Sequence, residues 1–299
     1  MSSTTLSSNP ARISAALLVL AGVLWGTGGL AGVILQDTAN IGAVPVAAYR
    51  LLVGGVFAVA VTVATGGLRY LRGRATLGRL VVTAVLLAQF QAAYQVAVAQ
   101  ISVSLATLIT IGCVPVFVAG VTALRDGRFP DPRTATAVTV AVGGLVLLCG
   151  ASMPETGGWT AVSGVAMSVA AGAGFAALTL VTSGPIAGRG AVTSVGLLLG
   201  GVLLLPVALA QGMAVPLTGE VLLTVAYLGL VPTAIAYGAY FVGLRHAHPT
   251  AAALATMLEP LTATLLAVGW YGEELTAAGV LGAALIAGAL ALHYLRPAS

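Results

Sequence analysis

Two charged residues lie deep inside long apolar runs of this sequence, Arg50 in AVPVAAYRLLVGG and Glu259 in ALATMLEPLTATLL. In hydrocarbon a charge at a helix centre costs about 2.5–3.5 kcal/mol on insertion scales, so each needs an opposite charge or a wet cavity. Counted at about 1.5 Å per residue, their depths differ by a few ångströms, a gap that a long arginine can cover. Two arrangements follow. Either the pair is a fixed ion bridge, or Glu259 takes a proton or a cationic group while Arg50 holds an anion. Polar side chains gather on neighbouring runs. Gln91, Tyr94 and Gln95 fall at i, i+3 and i+4 of one helix face, with Gln89 in the same two turns. Thr233, Tyr237 and Tyr240 share a face, as do Thr256, Glu259 and Thr262; Trp25 and Thr110 add one group each from two further runs. Facing lipid, such groups would be costly, so they should look inward. There they either line a cavity suited to an amphipathic, even aromatic, solute or bond helix to helix, at about 0.6 kcal/mol each on average. Pro115 and Pro260 each remove a helical hydrogen bond, and matching interruptions of this kind flank binding sites in transporters, so both are expected to act as hinges.

Chemistry of other kinds is not signalled. Cys113 and Cys149 lie in apolar runs, and no His, Cys, Asp or Glu set has metal-ligand spacing. His246 and His248 alone make a poor metal site. There is no phosphate loop and no nucleophile elbow. The expectation is therefore no catalytic residue, no metal, no cofactor and no enzymatic activity.

The elements that must position these groups follow from composition. Of 299 residues, 59% are hydrophobic and 7% charged, against roughly 25% charged in a soluble domain. So few charges cannot cover a soluble globule, and the surrounding medium must be largely lipid. Apolar runs fall at roughly 13–35, 44–65, 79–98, 102–122, 134–150, 158–181, 191–210, 218–242, 250–270 and 276–295. They are continuous rather than alternating, which argues for helices over a membrane β-barrel. The fold expected is an all-α integral membrane protein of ten spans.

Charge placement supports that count. Arg12, Arg69, Arg72, Arg74, Arg79, Arg125, Arg128, Arg133, Arg189, Arg245 and Arg296 all fall on the side that holds the N-terminus. Asp37, Glu155, Glu220, Glu273 and Glu274 fall on the other. The positive-inside rule then places the tail 1–12 and the C-terminus in the cytoplasm, and the protein in the inner membrane. The formal charge of +4 is thus a topology signal and not a nucleic-acid footprint. Trp159, Trp270 and Tyr271 suit the membrane interface. Loop 69–79 is basic enough to meet anionic headgroups, although its orienting role alone accounts for it.

Segment 94–115, YQVAVAQISVSLATLITIGCVP, parallels 240–260, YFVGLRHAHPTAAALATMLEP, pairing Tyr94 with Tyr240 and Pro115 with Pro260 after a one-residue slip. The repeat is close to 145 residues, or five spans, giving units 13–150 and 158–295. Five is odd, so the second unit enters the membrane from the opposite side, the arrangement that underlies alternating access. Gly22 and Gly26, Gly28 and Gly32, Gly196 and Gly200, and Ala284 and Gly288 offer small faces for close packing.

Several segments together resemble the EamA family of the drug/metabolite transporter superfamily. They are VLAGVLWGTGGLAG in the first span, AYRLLVGG with Arg50 in the second, and YFVGLRHAHPTAAALATMLEPLTATLLAVGWYGEELT with Glu259-Pro260 and Gly272-Glu273 in the second unit. The first unit departs from the pattern, with Val114-Pro115 in place of Glu-Pro and RDGRFP in place of the Gly-Glu turn. The resemblance covers nearly the whole chain. It implies a ten-helix transporter, often an exporter of amino acids or other metabolites, with a central cavity between the units. The expected partners are a small-molecule substrate, the lipid bilayer and, through Glu259, protons as coupling ion; no nucleic acid is expected. The cavity should be lined by spans one, three, four, six, eight and nine. A lipid-handling or scaffold protein, the competing reading, would instead carry apolar faces on spans three, eight and nine.

Overall fold

The computed structural model describes residues 10–101, 103–149, 158–183, 188–271 and 276–294. Expectations resting on Glu155, Gly272-Glu273, Glu274 and Arg296, or on the side chains of Cys149, Trp270 and Tyr271, lie outside the described residues. Every regular element among the described residues is helical. That is what a chain rich in Leu, Ala and Val must do where no water can satisfy its backbone.

In chain order the helices are α1 (Pro10–Ala39), α2 (Ala43–Ala64), α3 (Arg74–Gln100), α4 (Val103–Asp126), α5 (Pro132–Cys149) and α6 (Trp159–Thr182). They continue with α7 (Arg189–Ala210), α8 (Gly219–Gly229), α9 (Ala236–Gly243), α10 (Pro249–Ala255), α11 (Leu258–Tyr271) and α12 (Ala277–Tyr294). A wide turn of π type, Leu230–Ile235, joins α8 to α9, so Gly219–Gly243 runs as one span. Among the described residues, seven helices are long and apolar enough to cross a membrane, and α5 and α12 carry shorter apolar stretches. The region that composition assigns to a ninth span is instead two pieces, α10 and α11, parted at Thr256 and Met257.

Local chemistry fixes several helix starts. Asp131 Oδ1 accepts hydrogen bonds from the backbone N–H groups of Arg133 and Thr134, each at 3.0 Å, and so caps α5. His248 Nδ1 accepts from Thr250 N–H at 3.3 Å at the start of α10, with Pro249 as its first residue. A proline there loses nothing, because that N–H has no helical partner in any case.

The helices pack as a bundle in which α2 lies along α7, α3 along α6 and α7, and α4 against α6 and α10. On the other side α1 lies against α9 and α11, and α2 against α8. A central core draws Leu18, Leu51, Leu87, Val114, Leu178 and Leu197 from six different helices. Helices α5 and α12 pair at the margin around Leu145 and Ile286. Large apolar side chains such as Phe57, Val81, Leu203 and Val280 remain exposed, as a lipid-facing surface requires.

Backbones come close where glycine allows it. A methyl group on Gly26 would lie 2.6 Å from the Glu259 carbonyl oxygen, and one on Gly144 would lie 2.8 Å from that of Gly282. Both distances are below any carbon–oxygen contact, so α1 touches α11, and α5 touches α12, only because these residues lack Cβ. On the same helix, Gly29 faces open space, with no atom within 4 Å of a methyl placed there. Gly26→Ala should therefore destabilise the detergent-purified protein by about 1–3 kcal/mol, read as a lower melting temperature, while Gly29→Ala leaves it unchanged. Equal melting points for the two variants would contradict this account of the α1–α11 contact.

Candidate functional site

Two interruptions of helical bonding shape the centre of the molecule, and each traces to a proline. A proline ring crowds the carbonyl four residues earlier and offers it no donor. Counting back from Pro260 gives Thr256, where α10 stops. There the chain tightens into three-residue bonds: Thr256 N–H to the Ala253 carbonyl at 3.3 Å, Met257 N–H to Leu254 at 3.0 Å and Glu259 N–H to Thr256 at 3.0 Å. The Thr256 hydroxyl donates to the Ala253 carbonyl at 2.7 Å. The break therefore lies one turn before Pro260, while α4 runs unbroken through Pro115. Glu259 consequently falls in the first turn of a new helix, α11, at the positive end of the helix dipole.

The second interruption is the turn Leu230–Ile235, which contains Pro232. Pro232 denies the Leu228 carbonyl its α-helical donor, and the Thr233 hydroxyl donates to it at 2.7 Å. The helix that resumes as α9 presents Tyr237 to the centre of the bundle.

A cavity of about 470 Å³, counted to its open mouth, occupies that centre. Eight of the residues singled out by type and spacing line it: Trp25, Arg50, Gln91, Tyr94, Thr110, Tyr237, Thr256 and Glu259. They come from α1, α2, α3, α4, α9, the break and α11. Phe175 adds α6, and Phe90 and Ile111 complete the wall. These three escaped a search for polar residues because an apolar side chain in an apolar run carries no mark. Phe90 alone left a trace, one helical turn before Tyr94 and on its face.

Other expected residues lie elsewhere. Gln95 is buried but does not line the cavity. Tyr240 is fully buried with its hydroxyl 2.8 Å from Thr179 Oγ1 of α6, so it joins helices instead of facing the space. Thr233 is committed to its own backbone, and Gln89 donates to the Ala170 carbonyl at 3.0 Å, tying α3 to α6. Pro115 and Pro260 are buried outside the lining.

One side of the cavity is aromatic. The Trp25 ring meets Phe175 edge-on at 5.6 Å and Tyr237 at 5.2 Å, and Phe90 packs on Phe175 at 5.1 Å. These rings bring α1, α3, α6 and α9 to one point. The polar inventory is dominated by donors. Trp25 Nε1, Arg50 Nε and Gln91 Nε2 are all buried and have no hydrogen-bond partner among the described residues. The Tyr94 hydroxyl lies 2.6 Å from Thr107 Oγ1, and Thr110 donates to the Ser168 carbonyl at 3.1 Å. Arg50 and Glu259 share the cavity and each other's field. Among the described residues no ion pair within 4.0 Å joins them, so they face one space and do not close it.

The profile of the EamA-like transporter family matches this chain twice, over residues 12–150 and 161–295. An uncharacterized transporter of Bacillus subtilis (strain 168), YwfM, is 31% identical over 280 residues, covering 92% of this chain and 91% of that protein. A crystal structure with 21% sequence identity superposes with a TM-score of 0.79 over 94% of this chain and 97% of that one, which establishes a shared fold. Taken with the apolar helices, these matches make the chain a multi-pass membrane protein that belongs to the EamA-like transporter family of the drug/metabolite transporter superfamily.

Proposed function

We propose that the protein is a secondary transporter that carries a small amphipathic metabolite, an amino acid or a solute of like chemistry, through this cavity by alternating access. The observation that carries the reading is the set of buried donors without partners on Trp25, Arg50 and Gln91, facing the carboxyl of Glu259 across one space. Each such donor costs about 1–3 kcal/mol unless something satisfies it. A solute with a carboxylate would accept from these three groups, and an ammonium on the same solute would meet Glu259. The rings of Trp25, Phe175 and Tyr237 would cover its apolar part and favour a cation near their faces.

The helix arrangement supports ten spans in two inverted five-helix units, 13–150 and 158–295. The packing recurs under exchange of the units: α1 lies on α9 and α11 as α6 lies on α3 and α4, while α2 lies on α8 as α7 lies on α3. The α2–α7 and α5–α12 pairs map onto themselves. Gly172 abuts the Thr110 carbonyl as Gly22 abuts that of Ala255, and the family profile matches each unit separately. In this reading the breaks near Pro260 and Pro232 let parts of the wall move while the α5–α12 margin stays fixed. Pro115 would serve as the corresponding hinge in the first unit. The segregation of arginines supports cytoplasmic termini, and the family resemblance favours export. Glu259 is the group through which protons would couple.

A thermal-shift screen of the purified protein against amino acids, polyamines, quaternary amines, sugars and nucleosides should pick out one amphipathic zwitterionic class, with about 2.7 kcal/mol of stabilisation at a hundredfold excess over Kd. No shift with any charged or polar class would favour the lipid-handling alternative. In proteoliposomes, Glu259→Gln should lower transport of that solute at least about tenfold, one lost charge-assisted contact, and remove its dependence on pH, with the melting temperature retained. Wild-type transport that does not vary over the near-neutral range would remove the coupling role from Glu259. Gln91→Ala should weaken substrate affinity by about tenfold with little loss of stability, again the scale of one contact. Parallel losses of affinity and stability would instead assign Gln91 to packing.

A further inference from the structure

A second concentration of buried polar chemistry lies away from the central cavity, in a groove of about 360 Å³, counted out into the open space at its mouth, between α7 and α9 with α2 behind it. Arg189 and Arg245 stand at one end of it, and the wall beyond them is apolar, with Leu197, Phe241 and Val242. Arg189 opens α7 and is only 4% exposed, although its side chain carries a full charge. Arg245 and Arg79 both act on it with charges of its own sign. Among the described residues that line the groove, none is acidic. Cations thus converge at the positive end of a 22-residue helix.

Thr193 lies one turn further along α7, on the face of Arg189. It is 4% exposed and lines the groove, and its hydroxyl has no hydrogen-bond partner among the described residues. The neighbouring Ser194 is already engaged, accepting from the Thr62 hydroxyl at 2.9 Å. The space is real. A methyl on Gly190 or on Gly238 would meet nothing within 4 Å. It also reaches the outside of the bundle, where Val242 is 43% exposed.

We propose that this groove binds an anionic glycerophospholipid from the leaflet on the arginine-bearing side. The phosphate would sit between Arg189, Arg245 and the Thr193 hydroxyl, with one acyl chain running along Leu197, Phe241 and Val242. The cationic end answers an anion, since arginine and a helix N-terminus are both strong phosphate partners. The apolar wall answers a lipid in particular, because a free phosphate would leave it uncovered. Basic pockets between membrane helices recognise anionic headgroups on the same grounds. The proposal uses no residue of the central cavity and stands whether or not that cavity carries a solute.

The test compares phosphatidylglycerol, phosphatidylcholine with the same chains, and inorganic phosphate as additives to the delipidated, detergent-purified protein. Retention is followed by native mass spectrometry and stabilisation by melting. Phosphatidylglycerol should stay bound and raise the melting temperature, while phosphatidylcholine and phosphate do not. The double variant Arg189→Gln/Arg245→Gln should weaken phosphatidylglycerol binding by about tenfold or more, as expected for lost charge-assisted hydrogen bonds. Gly238→Leu, which fills the groove and leaves every charge in place, should do the same and decides the matter if the double variant fails to fold. Equal retention of both phospholipids, full stabilisation by phosphate alone, or wild-type phosphatidylglycerol affinity in Gly238→Leu would overturn the proposal.

Discussion

The hydroxyl of Thr233, donating to the Leu228 carbonyl at 2.7 Å, does work that Pro232 cannot. In a soluble protein water would take that carbonyl; inside a bilayer nothing else is at hand. The same constraint governs the break after α10, where three-residue bonds and the Thr256 hydroxyl absorb the disturbance from Pro260. Backbone satisfaction without water is therefore what allows this bundle to have a polar interior. Irregular backbone is tolerated where it borders a cavity or is enclosed by protein, and both irregular segments here lie beside the central space.

The site hangs on those two irregularities. Had α10 continued unbroken into α11, Glu259 would be one more mid-helix residue without the free N–H groups of a first turn beside it. Gly26 brings α1 against the Glu259 carbonyl, so the helix bearing Trp25 is held to the helix bearing the carboxyl. The ring contacts of Trp25 with Phe175 and Tyr237 then reach across to α6 and α9. The aromatic wall and the helix bearing the carboxyl are thereby held by backbone contacts and ring packing, leaving Trp25 Nε1 uncommitted among the described residues.

Much of this was legible in the sequence because an apolar background makes any polar residue conspicuous. Arg50, Gln91, Tyr94 and Glu259 stood out for that reason, and helical spacing put Gln91 and Tyr94 on one face. The departures from the expected arrangement have local causes. Spacing grouped Thr233 with Tyr237 and Tyr240, but the wide turn between 230 and 235 breaks the 3.6-residue period across that segment. Thr233 turns into its own backbone, and Tyr240, nearly a full turn past Tyr237, finds Thr179 instead of the cavity. Prolines located the interruptions only to within a turn, since the effect falls on the carbonyl four residues upstream and α4 absorbs Pro115 without breaking. Phe90, Ile111 and Phe175 were hidden among their own kind. Arg189 looked like one orienting charge among eleven, since burial at a helix start leaves no mark in the order of residues.

The wide turn between α8 and α9 amounts geometrically to one residue added to an otherwise regular helix. Each residue advances an α-helix by about 100°. Losing a single codon there would swing everything downstream, Tyr237 included, through roughly that angle, while the upstream end stayed seated against α2. One wall of the cavity could thus be re-aimed through a length change too small to disturb the span.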